Sequence, residues 1–379
     1  MKRLLYTVPA LALVSIIPGA GFWGPVILLV SLIFFHELGH FLAAKWMGMP
    51  VEVFSIGFPL GLKKDYISLF HWRETDVRLS ILPLGGYVKL AGFNPEDPDA
   101  EDPHGFLALP AWKKLVFYGG GIAANVAITV IVFFFMGVHQ ARIVSAKPQS
   151  SPLVVLEVMK EMPAGVAGIQ PGDQIRAFGD LRFPGSSSDE VIPYIRARAG
   201  QNLPVVLERD GREKTLTVIP QGEAGAGKVG LTFEPSSWIY EKRPLKAGDL
   251  WTGAVFATTG SARLAWDILG NFGKLVTRKV SFKEVGGPIT IARVGSRAAK
   301  AGFVQFMALL ALISMNLAVL NALPIPFLDG GHAALLLIEK ARGKDLSVKV
   351  KERILTGGFL FIVGLFALII FQDILKLRH

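Results

Sequence analysis

The chain has 379 residues, and 51% of them are apolar, which indicates a membrane protein with a soluble part rather than an ordinary soluble protein. It contains no cysteine, which excludes disulfides, thiolate metal ligands and a cysteine nucleophile. The formal net charge of +10 does not indicate nucleic-acid binding, because no nucleic-acid-binding module is visible and basic residues commonly flank membrane spans.

The N-terminal segment allows more than one interpretation. Lys2 and Arg3 precede a short apolar run, as in a signal peptide, but a second apolar run follows at once. The first run is shorter than the roughly 20 residues that a span needs. Residues 1–20 could therefore form an interfacial piece, a re-entrant piece or an extra short span, whereas 24–44 are predicted to be the first transmembrane helix.

This first transmembrane segment contains the motif H-E-x-x-H, formed by His36, Glu37 and His40. On a helix the two histidines lie on one face, where they can occupy two corners of a tetrahedral zinc site. Glu37 can then act as general base on a water at the metal. Ionisable side chains at membrane depth are costly and usually functional, so the motif predicts a catalytic zinc site.

A polar segment, residues 45–114, follows this helix. Apolar and polar residues alternate over 77–81, a Pro-Leu-Gly-Gly sequence follows, and 87–90 continue the alternation, which predicts a β-hairpin. The hairpin could only cover the segment, or it could offer an edge strand that holds an extended peptide near the active site. The acidic, proline-rich residues 94–104 are predicted to be a linker.

The second span is predicted over 115–138, which carry no charge, and it contains Asn125. This amide could join helices or contact substrate.

A soluble domain follows over 145–235. Its residues 164–175, AGVAGIQPGDQI, resemble the start of a bacterial PDZ domain, a fold that binds extended peptide ends by strand addition; an unrelated α+β domain is the alternative. Helical spacing of apolar residues within 236–302 predicts an amphipathic helix, either at the membrane surface or packed on the soluble domain.

The third membrane segment, 303–338, contains Asn321, two prolines that break the helix, and one carboxylate, Asp329. The last span is predicted over 354–372. A carboxylate at that depth needs a cation, so His36, His40 and Asp329 together predict a zinc ion with one open position. Asn125 or Asn321 could supply the amide that stabilises an oxyanion. The remaining histidines are expected to lie outside the ligand set: His71, His104, His139 and His332.

Topology follows from the basic loop Lys340–Arg353, which the positive-inside rule places in the cytoplasm. The domain at 145–235 then lies outside and the segment 45–114 inside. Lys2 and Arg3 favour a cytoplasmic N-terminus, which would require the extra span, and the sequence leaves this conflict open.

Several motifs in combination resemble the bacterial site-2 proteases, intramembrane zinc metalloproteases that cut membrane-bound anti-sigma factors. They are HELGH, FSIGF at 54–58, ILPLGGYVK at 81–89, the PDZ unit and NALPIPFLDGG. The resemblance implies a polytopic α-helical membrane protein of about four transmembrane helices, with an inserted α+β PDZ domain and a membrane-associated β-hairpin. Its parts would be residues 1–140, 145–235, 236–302 and 303–379.

The resemblance also implies roles. Zn²⁺ would be held by His36, His40 and Asp329, and Glu37 would be catalytic. The hairpin residues Gly85, Gly86 and Tyr87 would present substrate. Substrates would be single-span proteins, or signal-peptide remnants, in the bacterial inner membrane after a site-1 cut, in stress-response signalling. A different membrane zinc peptidase, of the prenyl-protein type, and an inactive PDZ scaffold are the alternatives. The family's G-P-x-x-N pattern lacks its proline here, and only one PDZ unit is visible.

Overall fold

The computed structural model describes residues 19–59, 61, 65–93, 102–148, 153–183, 186, 188–223, 225–233, 238–280 and 286–377. The predictions made for 1–18 and 94–101 lie outside these residues. The chain divides into two compact units, a membrane unit (Met1–Ala141 with Lys246–His379) and an inserted unit (Arg142–Leu245).

The helices of the described chain are α1 (Gly19–Trp46), α2 (Ala111–Ala141), α3 (Pro163–Val166), α4 (Ser188–Arg196), α5 (Ala247–Val276), α6 (Pro288–Ala301), α7 (Phe303–Ala322), α8 (Asp329–Arg342) and α9 (Val348–Leu377). The strands are β1 (Val51–Phe58), β2 (Tyr66–Trp72), β3 (Thr75–Ser80), β4 (Leu82–Leu90), β5 (Ile143–Pro148), β6 (Leu153–Val158), β7 (Gln174–Phe178), β8 (Leu181–Arg182), β9 (Leu203–Arg209), β10 (Arg212–Val218), β11 (Leu231–Phe233) and β12 (Trp238–Lys242).

Four helices of the described chain, α1, α2, α7 and α9, are long and apolar enough to cross a membrane, which confirms the predicted number. The first two meet at glycines. A Cβ on Gly39 would lie 2.2 Å from the carbonyl oxygen of Gly120, and a Cβ on Gly120 would lie 2.5 Å from that of Gly39. Small residues let helix backbones approach closely, so α2 is held directly against the H-E-x-x-H face of α1.

The segment predicted as one span at 303–338 is broken in the middle. Helix α7 ends at Ala322 and α8 begins at Asp329, with both prolines in the connection. The connection packs tightly on the start of α8, since a Cβ on Gly331 would lie 2.1 Å from the carbonyl oxygen of Ile325. The break therefore fixes Asp329 in the first turn of a new helix, inside the protein.

The membrane unit contains a four-stranded sheet of order β2-β3-β1-β4. Strand β1 pairs in parallel with β3 and antiparallel with β4, so the predicted hairpin of 77–81 with 87–90 is wrong: β1 lies between those strands. The reason is that β1 buries Val51, Val53 and Phe54 and so takes a central position. The hairpin that forms joins β2 to β3, and β4 is an edge strand whose outer side pairs with no other described strand.

The predicted amphipathic helix is present as α5, but it packs lengthwise on a transmembrane helix instead of lying at the membrane surface. A Cβ on its Gly253 would lie 2.9 Å from the carbonyl oxygen of Phe134, near one end of α2. Fifteen positions later Ile268 shares a buried cluster with Ile122 of α2 and Met315 of α7. Helices α5 and α2 therefore run antiparallel, with small residues at the contact.

The inserted unit has a sheet of order β10-β9-β7-β6-β11, with β8 beside β7, and a separate β5–β12 ladder. The ladder joins residues 143–148 to 238–242, which extends the unit beyond the predicted 145–235. Its core contains these buried residues: Leu153, Val155, Ile175, Phe178, Val191, Val205, Leu207 and Val218.

Candidate metal centre

Three ligand-type atoms converge where α1 meets α8. The Nε2 atoms of His36 and His40 lie 3.3 Å apart, and each lies 3.3 Å from Oδ2 of Asp329. In a tetrahedral zinc site with bonds of about 2.0–2.1 Å, neighbouring ligand atoms are about 3.3–3.4 Å apart. The three atoms, called the ligand triangle below, therefore match one face of such a tetrahedron and leave one position open.

The Asp329 carboxylate supports this fit. Its Oδ2 atom is buried and has no hydrogen-bond partner among the described residues. A buried acceptor left without a partner costs about 1–3 kcal/mol, more when charged. A divalent cation held by two imidazoles and this oxygen would satisfy it, and a donor set of two nitrogens and one carboxylate oxygen suits zinc.

His40 is oriented by the backbone of α2. Its Nδ1 donates to the carbonyl oxygen of Phe117 at 2.8 Å. Because a carbonyl can only accept, the ring proton is on Nδ1 and the lone pair of Nε2 points to the ligand triangle. Gly121, one turn further along α2, leaves room for both rings, since a Cβ there would lie 2.4 Å from Nε2 of His40.

Asn125 holds the other imidazole. Its Nδ2 lies 3.0 Å from Nδ1 of His36. A metal-bound His36 carries its proton on Nδ1, and the Asn125 amide then accepts it through its oxygen after the usual interchange of amide O and N. Asn125 is fully buried and does not line the cavity described next. The structure thus favours a positioning role for Asn125 over the predicted contact with substrate.

Asn321 lies beside the ligand nitrogen of His36, although its side chain, like that of Asn125, is not part of the cavity lining described next. Its side chain is 7% exposed, and its Nδ2 is 3.3 Å from Nε2 of His36. When that ring nitrogen binds a metal it cannot accept from the amide. The N–H group of Asn321 is then free for another acceptor, and its donation to an oxyanion stays a prediction.

Glu37 and the ligand triangle open into a cavity of about 280 Å³. Strand β4 reaches this cavity only because residue 86 is glycine: a Cβ on Gly86 would lie 2.8 Å from Cγ of Glu37 and 2.9 Å from the carbonyl oxygen of Ser55. Gly85 has φ +110°. The cavity is lined by His36, Glu37, His40, Phe58, Gly86, Tyr87, Val88, Phe93, Phe117, Tyr118, Phe327, Asp329 and His332.

Sequence reasoning missed part of this wall. The Phe117 carbonyl, Gly121 and Tyr118 belong to the centre, and their only sequence signal was a glycine-rich run in the second span. His332 was predicted to lie outside the ligand set, and it does, but it lines the cavity. His71 is 66% exposed and lies on β2, away from the centre.

Comparisons with known proteins show the family to which this chain belongs. The family model described as "Peptidase family M50" matches residues 25–365. A protein of Nostoc sp. named as a zinc metalloprotease is 30% identical, over 93% of this chain and 95% of its own length. A chloroplast protein of Arabidopsis thaliana named as a membrane metalloprotease is 31% identical, over 92% of this chain and 78% of its own length. A PDZ domain of an SdrC-like protein from Listeria monocytogenes covers 23% of this chain and 92% of its own, at 21% identity and TM-score 0.20. This chain belongs to peptidase family M50, the site-2 protease family of zinc metalloproteases.

Proposed function

We propose that this metalloprotease cuts single-span membrane proteins within the bilayer, as the site-2 step that follows a first cut outside the membrane. The observation that supports this most strongly is the position of the ligand triangle. Two of its atoms come from α1, a candidate membrane span, and the third follows α7, another such span. A centre at that depth reaches peptide bonds of membrane segments, which enzymes in water cannot reach.

The residues around the centre have separate tasks in peptide hydrolysis. Zinc, when bound, supplies a Lewis acid that polarises a carbonyl and acidifies water. The Glu37 carboxylate takes the proton of the attacking water and returns it to the departing amine. The amide N–H of Asn321 donates to the carbonyl oxygen as negative charge develops there.

A transmembrane helix must unwind before its carbonyl groups can react, and β4 offers a means to hold the unwound segment. The outer side of β4 is unpaired among the described strands, and Gly86 and Tyr87 line the cavity beside Glu37. An extended segment that adds to this edge by main-chain hydrogen bonds would place a peptide bond next to the ligand triangle. This is the role proposed for Gly85, Gly86 and Tyr87.

The inserted unit offers a second place for an extended peptide. Strand β11 is an edge of its sheet, and a cavity of about 250 Å³ lies between β11 and α4. Apolar side chains such as Met162 and Ile195 line it, together with the basic Arg196 and Lys228. We infer that this groove receives the trimmed tail of the substrate, whose new terminal carboxylate suits the basic groups.

The proposed location is the bacterial inner membrane. The loop from Lys340 to Arg353 is basic and would face the cytoplasm. The inserted unit would then lie on the extracytoplasmic side, where a site-1 protease trims its substrates. Anti-sigma factors of stress responses and signal-peptide remnants are the proposed substrate classes.

The test uses the full-length protein in detergent with a transmembrane model peptide. Wild type should cleave it and contain one zinc per chain, Glu37→Gln should keep the zinc but lose cleavage, and Asp329→Asn should lose both. Deletion of 150–222 should remove the preference for a trimmed tail. A wild-type protein that cuts only water-soluble peptides would contradict the intramembrane proposal.

A further inference from the structure

Two polar side chains in the wall of the catalytic cavity make no hydrogen bond within the part of the chain that the structure describes. His332 and Tyr118 both line the cavity that holds Glu37 and the ligand triangle. Neither the ring nitrogens of His332 nor the hydroxyl of Tyr118 makes a hydrogen bond with another described residue, and the contact between them is the stacking of their rings. Polar groups in a largely buried wall normally have partners, so these groups are available to a ligand or to water in the cavity.

The orientation of the His332 ring is fixed from two sides. His332 follows Asp329 by three positions on α8, so both side chains lie on one face of that helix. Its ring stacks face to face on Tyr118, with centroids 5.1 Å apart and planes 12° from parallel. Tyr118 directly follows Phe117, whose carbonyl orients His40. Two consecutive residues of α2 therefore orient a zinc ligand and the ring of His332.

We propose that His332 is a further catalytic residue, whose ring N–H donates a hydrogen bond to the scissile carbonyl oxygen as negative charge develops on it. Tyr118 is a positioning residue, which acts by stacking on the imidazole. This inference rests on the proposed function. His332 would be a second hydrogen-bond donor to the oxyanion beside Asn321. A neutral imidazole is sufficient, because it carries one N–H group. Loss of one preorganised donor to an oxyanion lowers kcat by about 10²–10³-fold.

The first experiment measures kinetics of the full-length protein with the transmembrane model peptide. His332→Ala should lower kcat by about 10²-fold or more, with KM changed only a few-fold and zinc content unchanged. His332→Gln should recover part of kcat, because its amide N–H can replace the ring N–H. His71→Ala is the matched control, since His71 is exposed on β2 and should change neither parameter.

The second experiment separates a catalytic from a structural role by binding. In the Glu37→Gln background, affinity is measured for a phosphinic peptide, a tetrahedral anionic mimic of the transition state, and for the uncut substrate peptide. His332→Ala should weaken binding of the mimic by about 10²-fold and change the affinity for the uncut peptide by only a few-fold. Tyr118→Phe should retain kcat, whereas Tyr118→Ala should resemble His332→Ala, with no further loss in the double variant.

The inference would be overturned if the mimic bound Glu37→Gln equally tightly with and without His332→Ala. Zinc loss in both His332→Ala and His332→Gln would overturn it as well. The two proposals fail in different ways. If wild type does not cut the transmembrane peptide, the proposed function is wrong. If wild type cuts it and His332→Ala cuts it equally fast, only the role of His332 is wrong.

Discussion

Two edge strands of this protein each lie beside a cavity, but the side chains around the two cavities differ. The catalytic edge is β4 beside a cavity of about 280 Å³, and the groove edge is β11 beside a cavity of about 250 Å³. Each strand is the last of its sheet. Gly86 lies within β4, Gly230 directly precedes β11, and a Cβ at either position would force neighbouring atoms to move. A Cβ on Gly86 would lie 2.8 Å from Glu37, and a Cβ on Gly230 would lie 2.3 Å from Met162.

The difference is in the helix that faces each edge. Helix α1 presents His36, Glu37 and His40 to the catalytic edge, whereas α4 presents Ile192 and Ile195 to the groove edge. Main-chain pairing gives both edges a means to hold an extended peptide. On the proposed function, the side chains opposite each edge decide whether the peptide is cut or only bound, so separate substitutions should remove the two functions separately.

The largest effect is expected for Glu37→Gln. Because the amide cannot take the proton of the attacking water, cleavage should fall by about 10²–10⁴-fold. The three ligand atoms are untouched, so zinc content should not change, and peptide binding at both edges should persist. Cleavage of the transmembrane peptide and metal content by mass spectrometry are the measurements.

The matched control for that variant is Glu74→Gln, since Glu74 is about half exposed and lies outside the cavity. Cleavage at more than a tenth of the wild-type rate by Glu37→Gln would contradict the general-base role.

Gly86→Ala tests the catalytic edge itself. The added Cβ would lie 2.8 Å from Cγ of Glu37 and 2.9 Å from the Ser55 carbonyl oxygen, so β4 must move away from the general base. A misplacement on the order of 1 Å costs about 10²-fold in rate. Zinc content should stay at the wild-type value. Gly119→Ala is the control, because a Cβ there meets no atom within 4 Å. Equal rates for the two variants would show that β4 does not present the substrate.

The sequence was sufficient to predict the ligand triangle because its members carry local or compositional signals. His36 and His40 have helical spacing around Glu37, and Asp329 is the only carboxylate in an apolar segment broken by prolines. Ionisable side chains are costly inside membrane segments and are usually functional, so a purely structural role for these residues was disfavoured. Their convergence was still a hypothesis, which the 3.3 Å distances now support.

The order of the sheet could not be predicted in the same way. The alternation of apolar and polar residues in β1 is broken where Val53 and Phe54 are adjacent, and its pairing in parallel with β3 leaves no turn signal. The stacking of Tyr118 on His332 joins residues more than 200 positions apart, and single-sequence patterns contain no trace of such a contact. For α5 the helical period was visible, but its small residues at 253, 257 and 261 indicated a helix contact that was overlooked.

Ile192→Lys tests the groove edge. Ile192 is 51% exposed and lines the groove beside β11, so a lysine there would place a charge in the apolar groove. Binding of a trimmed peptide tail should weaken about tenfold, the loss expected for about 1.4 kcal/mol. Cleavage of a transmembrane peptide without a tail should be unchanged. Val166→Lys is the control, because Val166 is exposed on α3 and outside the groove. A parallel loss of tail-free cleavage would contradict the separation of the two edges.

The smallest effect on cleavage is expected from Asp173, which supports the inserted unit and not the catalytic edge. Its side chain is 1% exposed, and its carboxylate accepts from Nε of Arg209 at 2.7 Å and from the backbone N–H of Gln170 at 2.8 Å. Burial by itself would raise the pKa of Asp173, but the hydrogen bonds from Arg209 and Gln170 outweigh it and hold the pKa below its usual value.

A carboxyl whose pKa is lowered in the folded state stabilises that state above its unfolded pKa of about 4, and the contribution is lost as the pH falls through the lower folded value. Asp173→Asn should therefore destabilise the inserted unit by about 3 kcal/mol at neutral pH and remove this acid dependence. Hydrogen exchange of amides in 153–233, measured in the full chain, reports the change. Tail-free cleavage should not respond, because the ligand triangle and β4 belong to the membrane unit; a change in that rate would mean that the groove edge does more than hold the tail.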